Sequence, residues 1–352
     1  MRNVPISQTV QGAKQGKAHT QRHEDRLSSR HHNSKTNLAA MQTYCWRRRL
    51  LPFLLLSVPF FAGPVLAAPS AEPAVIPAAP ANLAHAADDH ATALHLGKLS
   101  VRSSSVIVLD AADSSVLYSK DSQRVVPIAS ITKLMTALVI LDAGQPLDEM
   151  IELTAADRHL ERTSASRLAI GSKINRGDLL HLALMSSENR AAHAVARTYP
   201  GGLLACVKAM NAKARALGMK SAHFTDPTGL SSGNVSNAED LAKLVAAAAA
   251  DSTIRTYSTN TSHTVAVGRQ LLEFRNTNSL VKKADWDILL QKTGYTSDAG
   301  QCLVMKTVIR ERPVLIVLLN SFGKYTRVAD ARRIRKWMEA GLEPGQLAQT
   351  AR

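Results

Sequence analysis

Apolar residues along the chain repeat with two periods. Ile131, Leu134, Met135, Leu138 and Leu141 recur at three- and four-residue steps, which places them on one stripe of a helix. A short apolar approach, Val125 to Ala129, leads into it, and Gly144-Gln145-Pro146 ends it. A helix so apolar is expected to lie buried at the centre of its domain. Before it, Val101 to Leu109 and Val116 to Ser119 read as strands joined by a turn over Asp110 to Ser114. After it, residues 150–175 read as short strands and loops. Helices follow over Asp178 to Met185, Asn189 to Tyr199, Leu203 to Leu217 and Leu241 to Ala250. Pro200-Gly201-Gly202 stops the second, Gly218 stands at a C-cap of the third, and Ser236 with Glu239 forms a capping box for the fourth. The last third changes to strand patterning: Ile288 to Thr293, Cys302 to Ile309 and Val314 to Leu319 form an antiparallel meander, closed by a helix over Thr326 to Met338. This order predicts an α/β (α+β) domain. A five-stranded antiparallel sheet is flanked by helices, with an all-helical region between its first two strands and its last three.

The first residues follow neither period. Residues 1–40 are polar and basic and read as disordered. Residues 41–67 have the layout of a signal peptide: Arg47-Arg48-Arg49, an apolar run from Leu50 to Ala62, then small residues at Val65-Leu66-Ala67-Ala68. The run is shorter than the roughly 20 residues that span a bilayer, so no integral membrane span is expected in the mature protein. Export signals begin near the initiator, so translation is expected to start at Met41. Residues 68–95 form an Ala- and Pro-rich linker, and residues 96–345 the folded domain. His85, His90 and His95 in that linker read as a polar spacer rather than a metal site.

Composition narrows the function classes. The net charge is +15, but ten Lys and Arg against two Asp and Glu fall within residues 1–67, so more than half of it precedes the domain. Aromatic residues make up 4% of the chain and no dense basic run lies beyond Arg49, which argues against nucleic acid as a partner. A modestly basic body suits an anionic wall polymer. Of three cysteines, Cys45 lies in the segment expected to be removed; Cys206 and Cys302 read as separately buried thiols or as a pair. No His-Glu-x-x-His, Cys-x-x-Cys pair or glycine-rich phosphate loop is present, so neither a metal nor a nucleotide cofactor is expected.

Candidate chemistry starts at Ser130-Ile131-Thr132-Lys133. Positions three apart are neighbours on a helix, so the Ser130 hydroxyl and the Lys133 amine can meet. A serine needs a base to become a nucleophile, and a lysine becomes that base when burial or a nearby cation removes its proton. Two further stretches follow in order, Ser187-Glu188-Asn189 and Lys292-Thr293-Gly294. The three together are the signature of serine penicillin-binding proteins and class A β-lactamases. The chain resembles the serine penicillin-binding-protein family of DD-peptidases, with the β-lactamase/DD-peptidase-like fold, from about Leu96 to about Ala340. Within it the chain is most similar to low-molecular-weight D-alanyl-D-alanine endopeptidases (peptidase S11-like). Thr163 to Ala169 and Asp226 to Leu230 support the resemblance; Glu188 departs from the more usual Asp.

That resemblance implies the roles. Ser130 is the acylated nucleophile and Lys133 its base. Lys292 repels and so lowers Lys133, and with Thr293 holds the substrate carboxylate. Gly294 leaves room for substrate along its strand. The backbone N–H groups of Ser130 and Tyr295 form an oxyanion hole, worth roughly 3 kcal/mol per donor. Ser187 relays a proton to the leaving amine, and Asn189 binds the substrate backbone and orients Lys133. Asp226 to Leu230 reads as turn chemistry alone. The expected protein is a periplasmic serine endopeptidase acting on peptidoglycan peptide cross-links through an acyl-enzyme, with β-lactams as covalent inhibitors. The chain runs on for only 60 residues after Lys292, too few for the extra β-rich domain of anchored carboxypeptidases, which favours the endopeptidase branch. The alternatives are a D-alanyl-D-alanine carboxypeptidase and a non-turnover β-lactam sensor or wall-binding module. A β-lactamase is disfavoured because no Glu-x-x-Leu-Asn lies between Asn189 and Lys292.

Overall fold

Long strands whose apolar residues occupy both faces must be covered on both sides, and this requirement organises the domain. The computed structural model describes residues 98–158 and 166–341. The expected extension, signal peptide and linker, and Thr163 to Ala165, lie outside the described residues. In chain order the elements are β1 (Ser103–Asp110), β2 (Val116–Lys120), β3 (Val126–Pro127), α1 (Thr132–Asp142), β4 (Met150–Glu152), β5 (Lys173–Asn175), α2 (Arg176–Met185), α3 (Asn189–Arg197) and α4 (Gly202–Ala216). They continue with β6 (Val235–Ser236), α5 (Ala238–Ala250), α6 (Ser252–Thr259), β7 (Ser262–Val267), β8 (Gln270–Arg275), β9 (Asp287–Thr296), β10 (Gly300–Ile309), β11 (Arg312–Ser321) and α7 (Thr326–Gly341).

The central sheet has the order β2-β1-β11-β10-β9, and every pairing in it is antiparallel. Alternate residues feed two cores. Ile107, Leu109, Val304, Leu315, Val317 and Leu319 join the helical side, while Val106, Val108, Leu303, Met305, Ile316 and Leu318 pack on Ala331, Ile334 and Met338 of α7. On the helical side α1 is buried at every residue from Thr132 to Ile140, with α2, α3, α4 and α5 around it. A helix without a solvent face belongs in the middle of a core, as its pattern predicts.

The sequence reading and the structure part at several places. The cap of α5 is Asn237, whose side chain accepts from the Asp240 amide at 2.8 Å. Ser236 is held in the β3–β6 pairing opposite Val126, and Glu239 accepts from the Ser122 hydroxyl at 2.8 Å, so the expected capping box does not form. The helix α6 and the β7–β8 hairpin are additions: both are short and largely polar, and the hairpin turns at Gly268 with φ +62°. Cys206 and Cys302 are free, buried thiols on α4 and β10.

Candidate active site

Ser130 sits on a strained turn at the start of α1. Ala129 has φ +47°, a left-handed conformation that costs an L-residue about 1–2 kcal/mol. The turn over Ala129–Ile131 then runs into the helix. One helical turn on, Lys133 is 1% exposed, and its Nζ lies 2.8 Å from Ser130 Oγ, 2.8 Å from Asn189 Oδ1 and 2.7 Å from the Thr228 carbonyl. Two of these partners, the amide oxygen and the carbonyl, can only accept. A neutral amine satisfies both with its two N–H bonds and leaves its lone pair facing the serine O–H. Burial favours that form, lowering the pKa to about 7, with the carboxylates of Asp226 and Glu188 opposing.

The third partner comes from a loop that reads as a plain turn in the sequence. Asp226 Oδ1 accepts from the Thr228 amide, the Thr228 hydroxyl and the Gly229 amide, and its Oδ2 from the Ser231 amide. Asn234 ties the loop together by accepting from the amides of Thr225 and Asp226, and donates to Thr132 Oγ1 at 3.1 Å. Gly229 has φ +82°, and a Cβ there would stand 1.9 Å from the Ala129 carbonyl oxygen. The loop therefore lies directly on the Ser130 turn, and only glycine permits the approach.

Ser187-Glu188-Asn189 joins α2 to α3. Ser187 adopts φ +62°, and Glu188 caps α3 by accepting from the Arg190 amide at 3.2 Å. This brings Asn189, the first residue of α3, to Lys133. Burial raises the Glu188 carboxyl above its ordinary range, against a hydrogen bond with Ser166. Among the described residues no hydrogen bond joins Ser187 Oγ to Ser130 or Lys133, because Ser130, Asn189 and Thr228 occupy the positions around Nζ.

The strand β9 closes the other side. A Cβ on Gly294 would lie 3.0 Å from the Ile128 carbonyl oxygen, 3.1 Å from Ala129 Cβ and 3.2 Å from the Ser130 amide nitrogen. A side chain at 294 would therefore press on the nucleophile's own turn as well as on anything laid along the strand. Lys292 is fully buried and donates to the Thr293 carbonyl at 2.9 Å. Its pKa falls well below the ordinary lysine value, first through burial, then through repulsion from Lys133 and Arg327. Burial is the first cause at both lysines, and like-charge repulsion between the two amines disfavours charging them together. Thr293 Oγ1 shares a 2.6 Å hydrogen bond with Thr277 Oγ1, which also reaches the Met185 carbonyl at 3.5 Å. Tyr295 turns an exposed side chain outward.

Two residues escape the sequence reading. Thr277 has no motif around it. Arg327, in the first turn of α7, donates to the carbonyls of Gly294 at 2.5 Å and Cys302 at 3.0 Å, clamping β9 to β10 beside Lys292. A basic residue near the start of the closing helix was the one available signal. Among the described residues no group of three or more His, Cys, Asp or Glu is placed to hold a metal ion.

Comparison with known proteins agrees with this geometry. The family model of peptidase S11, D-alanyl-D-alanine carboxypeptidase, matches residues 90–323. A D-alanyl-D-alanine endopeptidase of Pseudomonas aeruginosa is 52% identical over 241 residues, covering 68% of this chain and 78% of the relative. One from Escherichia coli is 49% identical over 243 residues, with coverage of 68% and 78%. The crystal structure of a Streptomyces DD-transpeptidase superposes with a TM-score of 0.65 at 26% identity, covering 69% of this chain and 99% of that one. With the Ser130–Lys133–Asn189 contact at its centre and the family model spanning most of the described domain, the chain belongs to the peptidase S11 family of serine DD-peptidases.

Proposed function

We propose that this protein is a periplasmic serine D-alanyl-D-alanine endopeptidase that opens peptidoglycan peptide cross-links. The observation that carries the chemistry is the contact of Lys133 Nζ with Ser130 Oγ at 2.8 Å inside a shell of two acceptors. Neutral Lys133 takes the Ser130 proton as Oγ attacks the carbonyl of the D-alanine that forms the cross-link. The oxyanion forms near the amide nitrogen of Ser130 and the backbone of Tyr295, where two N–H donors act on developing charge. Ser187 passes the proton to the departing amine, whose loss leaves an ester on Ser130. Water, deprotonated by the same lysine, then hydrolyses the ester and restores the hydroxyl. The substrate carboxylate is met by Lys292, the hydroxyl of Thr293 and the positive field of Arg327.

A β-lactam would acylate Ser130 by the same first step, its carboxylate taking the place of the substrate's. The periplasmic location rests on the signal-peptide layout of residues 41–67. Endopeptidase rather than carboxypeptidase action is favoured by the names of the two relatives near half identity. Incubation with purified cross-linked muropeptide dimers tests the reading: dimers split into monomers support it. Unchanged dimers with free D-alanine released from a pentapeptide would assign the carboxypeptidase activity instead.

A further inference from the structure

Among the described residues the exposed aromatic rings are three, Tyr295 at 61%, Phe322 at 93% and Tyr325 at 72% exposure, and all three stand at one end of the central sheet. Tyr295 is near the end of β9, Phe322 follows β11, and Tyr325 precedes α7. In the strand register Tyr295 is opposite Gln301, Gln301 opposite Ser321 and Ser321 opposite Ser103, and Phe322 follows Ser321 directly. Two strand spacings, roughly 10 Å, separate the Tyr295 strand from the end of β11, so the row of rings starts at the substrate strand and crosses the sheet end.

The far end of the row is a cavity of about 320 Å³ lined by Arg102, Lys324, Tyr325, Thr326 and Arg333. Its wall is fixed from below. Asp330, fully buried, accepts from the amides of Arg102 and Ser103, the Ser103 hydroxyl, and Arg333 at 2.6 Å. That carboxylate balances Arg333. Arg102 and Lys324 are exposed, and among the described residues neither is paired with an acid. The strip thus combines flat apolar rings with two uncompensated cations.

We infer that this strip is a docking surface for the insoluble peptidoglycan polymer, on the side of the cleaved bond reached past Tyr295. The inference rests on the peptidase reading above. Two observations select the occupant: the row is continuous with the strand that holds the substrate, and its charge complements the carboxylates of stem peptides. The apolar faces of amino sugars fit rings held open to solvent, as exposed aromatics at binding surfaces do. Such a surface holds the enzyme on its polymer between cleavages.

The test compares Phe322→Ala/Tyr325→Ala and Lys324→Glu with the parent. Binding to isolated insoluble peptidoglycan is measured in a Ser130→Ala background, so that nothing is cleaved. Acylation by a soluble fluorescent penicillin is measured with Ser130 intact. The expected result is at least about tenfold weaker polymer binding for the double variant. For Lys324→Glu, binding is weaker and less sensitive to salt than the parent's. Acylation stays within about twofold of the parent. Unchanged polymer binding with normal acylation overturns the docking surface and leaves the peptidase reading intact. Loss of acylation together with binding in both variants puts the strip inside the catalytic cleft and also overturns it. A parent that neither acylates nor cleaves soluble dimers overturns both readings.

Discussion

Replacing Gly229 by alanine separates two costs that glycine substitutions usually mix. The new Cβ would stand 1.9 Å from the Ala129 oxygen and 2.9 Å from the Ser130 nitrogen. Restoring an ordinary contact of about 3.5 Å requires the loop to retreat by at least roughly 1.5 Å. Thr228, the preceding residue, supplies the carbonyl 2.7 Å from Lys133 Nζ, so the retreat loosens the base from its seat. A displacement of about 1 Å in a catalytic array costs on the order of a hundredfold in rate. The left-handed backbone adds about 1 kcal/mol for any side chain. Gly144 supplies the control, since it also has positive φ, +63°, but open space around its Cβ position. Gly144→Ala should therefore lower Tm by roughly 2–4 °C, as about 1 kcal/mol does in a domain of this size, and leave penicillin acylation unchanged. Gly229→Ala should lower Tm further and slow acylation by about a hundredfold. Both are measured by calorimetry and by the second-order rate of fluorescent penicillin labelling. A Gly229→Ala enzyme that matches Gly144→Ala in both would refute the close approach of the loop to the nucleophile.

Three further outcomes follow from the same geometry. Ser130→Ala should fold with the parent's circular dichroism yet carry no covalent penicillin in a mass spectrum; a labelled variant would move the nucleophile elsewhere. Asn189→Ala removes an acceptor that favours the charged amine, so the acid limb of the acylation profile should move to lower pH while the rate falls; a limb displaced upward would contradict the contact. Asn237→Ala should cost about 1 kcal/mol as a lost cap, and Ser236→Ala should not act through capping; thermal melts that reverse the order would restore the capping box.

The parts of the site carried by side chains in regular elements were legible from the sequence. Ser130 and Lys133 share a helix face, and the apolar period that defines α1 also buries the lysine. Of the three long strands, β10 and β11 were legible from runs of Val, Leu and Ile that demand cover on both faces, and β9 from Ile288, Leu289 and Leu290 ahead of its polar motif. What escaped is carried by backbone or by tertiary approach. The Thr228 carbonyl has no residue signature, and the need for Gly229 exists only once Ala129 is opposite it. Thr277 matters through hydroxyl contacts to Thr293 and the Met185 carbonyl, both distant in sequence. The α5 cap slipped by one residue because Ser236 and Asn237 are both capping types, and the pairing of Ser236 with Val126 decides between them.

The role of Lys133 as the base of Ser130 is tested most directly by the acylation rate constant for a soluble penicillin between pH 5.5 and 9. Burial lowers the amine to about pKa 7, so below that value the charged form dominates and the neutral fraction grows tenfold per pH unit. The rate should rise with pH along a single limb with its midpoint near 7, and Lys133→Ala should abolish the limb with a loss on the order of a hundredfold or more. A profile flat across this range in the parent, or a Lys133→Ala enzyme that keeps both rate and limb, would contradict it.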